Sequence, residues 1–248
     1  MERYKVILAY DGSGFLGSQM QAKSRTVQGE FEKALRKLGW TGRSVIMAGR
    51  TDTGVHATGQ VAVFDLDWSH PLEKLFKAIE ANLPPDLAIR SLAPASTDFH
   101  PRFDATSRQY RYRLYCDPIR DPLREKFLWR VFPPVDGDAL TRNAGIFTGT
   151  HDFAAFGSPT SPRGTTTRTV TKAEWKRMPD GEWQFEVRAN AFLYRMARKL
   201  VFVQVSVAQG KLPLERVQVA LEKQEKLPAG LAPAHGLTLV EVTYGSHD

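Results

Sequence analysis

The sequence predicts an α+β fold built from two copies of a β-α-β-β-α-β unit. Some short segments alternate hydrophobic and polar residues, as half-buried strands do, whereas others repeat hydrophobic residues every three or four positions, as amphipathic helices do. The order of these segments in the first half of the chain recurs in the second half. A chain of 248 residues, 42% of them hydrophobic, is long enough to bury the core that such a fold needs.

The first unit is predicted from residues 1–104. Period-two alternation marks its strands, helical spacing marks its helices, and Pro84-Pro85 ends the second helix. The predicted strands cover residues 5–10, 45–47, 61–64 and 87–92, and the predicted helices cover residues 27–38 and 72–83.

The second unit is predicted from residues 105–248, where a strand through residues 110–115 precedes a helix at 138–147. Strands at 167–178 and 183–188 are joined by the turn Pro179-Asp180-Gly181. Helices at 193–201 and 214–221 and a strand at 237–244 follow. Each unit is expected to be ferredoxin-like, or RRM-like, with helices on one face of an antiparallel sheet. The other sheet faces would then be available to meet around a central cleft.

Composition and charge narrow the class of protein. Lys and Arg outnumber Asp and Glu by 34 to 27, which gives a net charge of +7 and favours a polyanionic partner such as nucleic acid. The single cysteine, Cys116, cannot form an internal disulfide, and the N-terminal residues lack an apolar signal core. The six histidines are spread without metal-ligand spacing. We therefore expect a cytoplasmic protein without a structural metal.

One carboxylate stands out on a predicted loop between two strands. Asp52 lies in the segment Gly49-Arg50-Thr51-Asp52-Thr53-Gly54-Val55-His56, two residues after Arg50 and two before Gly54. An aspartate is ionised at neutral pH, and a cation within a few Å favours the ionised form further. Such a group can act as a nucleophile or a base, but not as an acid.

Two motifs suggest other enzyme classes. Gly12, Gly14 and Gly17 spell the dinucleotide-binding G-x-G-x-x-G, but the polar residues 18–25 do not open a helix at the third glycine. Asp52-Thr53-Gly54 spells the aspartic-protease triplet, whose chemistry needs two carboxyls that share a proton. Arg50 would oppose that sharing, and the chain has no second triplet. A protease would require a symmetric dimer, and it stays as an alternative.

Arginines and tyrosines interleave in the second half of the chain. Strand geometry would send Tyr110 and Tyr112 to one face and Arg111 and Arg113 to the other, so that one face offers stacking and the other offers charge. RNA-binding sheets use both features. The further candidates for RNA contact are Arg50, Arg102, Arg108, Arg168 and Arg195.

Five motifs in order along the chain resemble a known family, the tRNA pseudouridine synthase A family. They are Tyr10-Asp11-Gly12-Ser13, residues 49–56, Phe99-His100 with Arg102-Phe103, Tyr110-Arg111-Tyr112, and Asn190-Ala191-Phe192 with Met196 and Arg198. The resemblance runs nearly from end to end. In one place the chain departs from it, because Ser18 stands where the family usually has tryptophan.

The resemblance implies isomerisation of uridine to pseudouridine at positions 38–40 of the tRNA anticodon stem-loop, by a homodimer that needs no cofactor. It implies that Asp52 is the catalytic aspartate, Tyr110 the active-site tyrosine and Arg198 the arginine that pairs with the aspartate. Arg50 would help to displace the target base. The sequence leaves open whether Asp52 attacks C1′ or removes a sugar proton, and whether the protein is a catalytically silent tRNA-binding protein.

Overall fold

The computed structural model describes residues 1–161 and 164–245, which form two compact units. The first unit contains Met1–Thr106 and the chain from Thr238, and the second contains Ser107–Leu237. The fold is α+β, with mostly antiparallel strands, as predicted.

The first unit follows the predicted β-α-β-β-α-β order. Its elements are β1 (Glu2–Tyr10), α1 (Val27–Lys37), β2 (Ile46–Met47), β3 (His56–Leu66), α2 (Leu72–Glu80) and β4 (Leu87–Pro94). Strand β1 lies between β4 and β3 and is antiparallel to both. Its inward side chains alternate as predicted, because Val6 and Leu8 are completely buried. Helix α1 is capped by Thr26, whose Oγ1 accepts from the N–H of Gly29 at 3.1 Å.

The last strand, β10 (Leu237–Tyr244), corrects the predicted domain boundaries. The division into residues 1–104 and 105–248 assigned this strand to the second domain. In the structure it belongs to the first unit, where Thr238 pairs in parallel with His56. Strand β2 has only two residues and pairs with Val63 and Ala62. Because β2 is so short, it does not reach the start of β3, and β10 pairs with β3 there. Local sequence patterns do not reveal this pairing.

The second unit contains the predicted elements other than the last strand, together with two further strands. Its elements are β5 (Ala105–Cys116), β6 (Trp129–Val131), α3 (Gly137–Ala144), β7 (Gly149–Asp152), β8 (Thr167–Arg177), β9 (Trp183–Ala189), α4 (Met196–Ala208) and α5 (Leu214–Lys223). The sheet order is β5-β9-β8-β7 with antiparallel pairs, and β6 runs parallel to β5. The predicted turn joins β8 to β9, where Gly181 has a φ of 81°.

Helix α4 packs into the core of the second unit. Leu200, Val201 and Val203 are completely buried. The indole Nε1 of Trp175 on β8 donates to Oε1 of the buried Gln204 at 2.9 Å, so the polar side chain on this helix is satisfied. The helix therefore has a fixed position on the sheet, and its first turn carries Arg198.

Candidate active site

Asp52 lies on a tight turn between β2 and β3. The carbonyl of Asp52 accepts from the N–H of Val55 at 3.1 Å, and Gly54, the third residue of this turn, has a φ of 79°. Glycine adopts that conformation without strain. The side chain of Asp52 is half-buried, whereas Arg50 is exposed. The turn therefore presents the carboxylate at the edge of the unit rather than in its core.

The residue before Asp52 is held by three hydrogen bonds. The N–H of Thr51 donates to Oγ of Ser18 at 2.8 Å, and the N–H of Ser18 donates to the carbonyl of Thr51 at 3.1 Å. Oγ1 of Thr51 shares a hydrogen bond of 2.9 Å with the hydroxyl of Tyr10. Burial raises the pKa of Tyr10 to about 12, so its hydroxyl stays neutral at physiological pH.

His56 supports the loop from the other side. Its Nδ1 accepts from the N–H of Gly12 at 3.0 Å, and the residue is 4% exposed. The same Nδ1 lies 3.3 Å from Oδ1 of Asp11. Gly12 lies against the loop backbone, since a Cβ at this position would come within 2.1 Å of the Val55 carbonyl oxygen. These contacts give His56 a structural role, which the sequence left open.

Tyr110 lies in the middle of β5, opposite Val187 on β9. Its ring meets the ring of Phe192 edge to face, with the centroids 4.8 Å apart and the planes at 80°. The structure thus brings together residues from two of the five motifs. Its neighbour on the same face, Tyr112, is fully buried, and the hydroxyl of Tyr112 donates to the carbonyl of Pro233 at 2.8 Å. Of these two tyrosines, only Tyr110 is partly exposed.

Arg198 lies in the first turn of α4, as predicted. Its Nε donates to the carbonyl of Ala232 at 2.8 Å, and the N–H of Ala232 donates to the carbonyl of Arg198 at 3.3 Å. The next residue, Lys199, donates to the carbonyls of Pro228 and Gly230. Two neighbouring cations therefore attach the segment 228–232 to the start of the helix.

On the face of β5 opposite Tyr110, both arginines are paired with carboxylates, which the sequence pattern does not show. Arg111 pairs with Glu186 at 2.7 Å and Arg113 pairs with Glu182 at 2.7 Å. Lys172 also contacts Glu186 at 2.7 Å. Burial would raise the pKa of Glu186, but Lys172 and Arg111 together lower it, so this carboxylate stays ionised and compensates the arginine.

The other arginines predicted to contact RNA differ in their surroundings. Arg102 is exposed and lies 5.9 Å from the ring centroid of Phe103. Arg108 donates to the carbonyl of Asn190 at 2.9 Å. Arg168 donates to Thr165 and Thr167, and burial lowers its pKa. Arg195 is exposed, with its guanidinium 4.7 Å from the ring centroid of Tyr194 and a left-handed φ of 64°.

Sequence reasoning missed two buried polar residues around the Asp52 loop. Ser18, which in the sequence marks only a departure from the family, is 1% exposed and contacts Thr51. Gln60 on β3 is completely buried, and its Nε2 donates to the carbonyl of Gly49 at 2.8 Å. The one available signal was a polar residue at a buried strand position, since Gln60 lies beside a hydrophobic run.

Within residues 1–161 and 164–245, no group of three or more His, Cys, Asp or Glu side chains is arranged to hold a metal ion. In the same part of the chain, none of the helices has the length and apolar character needed to span a membrane.

Comparison with known proteins bears directly on the resemblance. A family model described as tRNA pseudouridine synthase matches residues 6–104 and 144–245. The tRNA pseudouridine synthase A of Chloroflexus aurantiacus is 40% identical over 251 residues, covering 98% of this chain and 89% of that protein. The enzyme of the same name from Limosilactobacillus fermentum is 38% identical, covering 99% of this chain and 97% of that protein.

A third relative, tRNA pseudouridine synthase A of Maridesulfovibrio salexigens, is 38% identical over 250 residues and covers 99% of this chain and 91% of that protein. The family expected from the five motifs is thereby confirmed. Because the family model matches most of the chain, including the Asp52 loop, and these relatives cover 98–99% of it, the chain belongs to the tRNA pseudouridine synthase family.

Proposed function

We propose that this protein isomerises uridine to pseudouridine at positions 38–40 of the tRNA anticodon stem-loop, with Asp52 as the reacting carboxylate. The observation that carries the proposal is the turn at Asp52, which lies within the matched family region and is held by main-chain hydrogen bonds on both sides. A carboxylate on a fixed turn can be positioned against a sugar carbon or a sugar proton without the entropy cost of ordering a flexible loop.

The reaction itself requires one carboxylate and no co-reactant. The C1′–N1 bond of uridine breaks, the uracil ring turns, and C1′ joins C5, after which C5 loses its proton and N1 gains one. Asp52 can attack C1′ to form a covalent ester, as glycosidase nucleophiles do, or remove the 2′ proton to give an unsaturated sugar. Both routes require the ionised carboxylate, which the turn can present at the edge of the first unit.

The proposed catalytic set also includes Tyr110 and Arg198. Tyr110 has a partly exposed ring whose edge-to-face contact with Phe192 fixes its plane, so one face of the phenol is suited to stack on the detached uracil. We propose that its hydroxyl assists removal of the C5 proton. Arg198 is proposed as the cation that pairs with the reacting carboxylate, and its hydrogen bond to the carbonyl of Ala232 orients the guanidinium.

Arg50 is proposed to act on the substrate rather than on the chemistry. A stacked uridine must leave the stem or loop before it can react, and unstacking costs a few kcal/mol. The exposed guanidinium of Arg50, two residues before Asp52, can fill the vacated space or bind the adjacent phosphate. Arg102, Arg108, Arg168 and Arg195 are proposed as further contacts to the tRNA backbone. We also propose that the protein works as a cytoplasmic homodimer.

The proposal is tested by mapping pseudouridine with mass spectrometry in unmodified tRNA incubated with the protein. We expect new pseudouridine in the anticodon stem-loop, together with tritium release from C5-labelled uridine. Asp52→Asn should reduce the rate by about 1,000-fold or more while tRNA binding stays within a few-fold. Asp67→Asn, an exposed aspartate that follows β3, serves as the matched control and should turn over normally.

The same experiment separates the alternative functions. A catalytically silent tRNA-binding protein would bind tRNA but release no tritium at any enzyme concentration. Retained turnover in Asp52→Asn would remove Asp52 from the proposed catalytic set even if the wild-type protein is active.

A further inference from the structure

We propose that Ser18 is a positioning residue that holds the Asp52 turn in its reactive conformation. This inference rests on the function proposed above for Asp52. Ser18 binds both main-chain polar groups of Thr51, the residue directly before Asp52: its Oγ accepts from the N–H at 2.8 Å and its own N–H donates to the carbonyl at 3.1 Å.

The second of these bonds acts on the peptide plane next to the carboxylate. The carbonyl of Thr51 belongs to the planar peptide group that ends at the Cα of Asp52, so fixing this oxygen fixes the direction from which the Asp52 side chain departs. The first bond fixes the preceding peptide plane in the same way. The side chain of Thr51 is held separately by Tyr10. Ser18 thus controls the backbone on the N-terminal side of Asp52.

The contact is shielded from solvent. Ser18 is 1% exposed, Thr51 is 7% exposed and Tyr10 is 5% exposed. Water cannot readily replace a lost partner at such a position, so the N–H of Thr51 would be left unsatisfied if the serine hydroxyl were removed. The turn would then be expected to shift toward another acceptor.

Ser18 is itself anchored to a rigid element. Its carbonyl accepts from the N–H of Gln28 at 2.9 Å, and the carbonyl of Gly17 accepts from the N–H of Val27 at 3.4 Å. These two donors belong to the first turn of α1, where N–H groups have no partner inside the helix. Helix α1, Ser18 and Thr51 therefore form a continuous hydrogen-bonded connection to Asp52.

Gly17 makes this approach possible. It has a φ of 85°, and a Cβ on it would lie 3.0 Å from the carbonyl oxygen of Thr51. The left-handed backbone at Gly17 turns Ser18 toward the loop. In this proposal the segment from Gly12 to Gly17 supports the Asp52 turn, whereas its glycine spacing suggested nucleotide binding.

The expected consequence is a loss of rate that exceeds the loss of stability. One buried hydrogen bond contributes modestly to the fold, whereas displacement of a reacting group by 1 Å can cost on the order of 100-fold in rate. Ser18→Ala should therefore slow single-turnover pseudouridine formation by about 10- to 100-fold. The Kd for tRNA should stay within about threefold, because Ser18 is buried and does not itself meet the substrate.

Three variants test the inference. Ser18→Ala removes the hydroxyl. Ser18→Cys keeps nearly the same size but offers only a weak acceptor, so it should also be slow, and it carries the test if the alanine variant does not fold. Asp136 is the N-cap of α3, and its Oδ1 accepts from the N–H groups of Asp138 and Ala139. Asp136→Ala removes this cap and serves as a stability control. It should lower the Tm without changing the single-turnover rate.

The outcomes distinguish this inference from the proposed function. A wild-type rate in Ser18→Ala or Ser18→Cys, while Asp52→Asn is inactive, overturns the role of Ser18 alone. Equal loss of rate in Asp136→Ala and Ser18→Ala at equal loss of Tm also overturns it, because the effect is then one of stability. Retained activity in Asp52→Asn overturns the proposed function and the positioning role together.

Discussion

Arg198 and Ala232 exchange two hydrogen bonds in the second unit. Nε of the arginine donates to the alanine carbonyl at 2.8 Å, and the alanine N–H donates to the arginine carbonyl at 3.3 Å. The guanidinium is therefore oriented by the main chain of residue 232 and not only by its charge. A lysine at this position would keep the charge but could not reproduce the planar fork.

This relationship predicts that Arg198→Lys will behave more like Arg198→Ala than like the wild type. Both variants should reduce the single-turnover rate by about 100-fold or more, with tRNA affinity within a few-fold. Single-turnover kinetics and filter binding on the same tRNA measure the two effects. A large loss of affinity with an intact rate would reassign Arg198 to phosphate binding.

Tyr110 gives a second prediction, because its ring and its hydroxyl can be separated by mutation. Tyr110→Phe keeps the edge-to-face contact with Phe192 and should bind tRNA within about twofold of the wild type. Its rate should fall by about 100-fold or more if the hydroxyl assists removal of the C5 proton. Tritium release measures this step. A normal rate in Tyr110→Phe would restrict the residue to stacking, and Tyr110→Ala would then be the slow variant.

Local patterns were sufficient to predict most of the elements. The alternation in β1 and the spacing of Val27, Phe31 and Leu35 in α1 reflect which side chains face the core, and those faces are buried in the structure. The turn at Asp180-Gly181 also depends only on residues that are close in sequence. Each of these features depends on neighbours in sequence, so a single sequence contains the information.

Features that depend on register between distant strands could not be predicted in this way. Arg111 lies directly opposite Glu186, and the two side chains form an ion pair across the strands. The pairing of Thr238 with His56 places β10 in the first unit. Ser18 contacts Thr51 only because both segments converge on the same loop. No periodicity in the sequence encodes these three contacts.

The close approach of Gly12 to the Asp52 loop predicts a strong effect of adding one methyl group. In Gly12→Ala the Cβ would lie 2.1 Å from the Val55 carbonyl oxygen, so the backbone of the loop must move. We expect a loss of about 2 kcal/mol or more in the free energy of unfolding. Gly145→Ala is the control, since nothing lies within 4 Å of its Cβ and its φ is −60°.

Urea unfolding of both glycine variants measures the difference. The control should be unchanged or slightly more stable, because alanine restricts the unfolded chain. Equal midpoints for Gly12→Ala and the wild type would show that the loop accommodates the methyl group.

Asp86 and Arg25 predict a pH dependence of stability in the first unit. The guanidinium binds both carboxylate oxygens at 2.7 Å, and this lowers the pKa of Asp86 below its ordinary value. A lowered folded-state pKa stabilises the protein above the unfolded-state pKa of about 3.9, and the contribution is lost as the pH falls through the folded-state pKa. Asp86→Asn should therefore be less stable than the wild type at pH 7.

The size of this effect is limited by solvent, since the side chain of Arg25 is 38% exposed. We expect a difference of about 0.5 to 1 kcal/mol at pH 7 that shrinks as the pH falls below about 3.9. Denaturant unfolding at pH 7 and pH 3 measures it. The same difference at both pH values would mean that the variant acts through packing rather than through the carboxylate charge.

The ion pair between Arg111 and Glu186 predicts which arginines contribute to tRNA affinity. Arg195 is exposed, with its guanidinium against the ring of Tyr194, whereas Arg111 is compensated by a carboxylate at 2.7 Å. Arg195→Ala should weaken binding and reduce the slope of log K against log salt by about 0.7 to 0.9, the value for one phosphate contact. Arg111→Ala, the matched control, should change the slope little. Titration of tRNA binding between low and moderate salt measures both slopes, and a larger change for Arg111→Ala would place the RNA on the ion-paired face of β5.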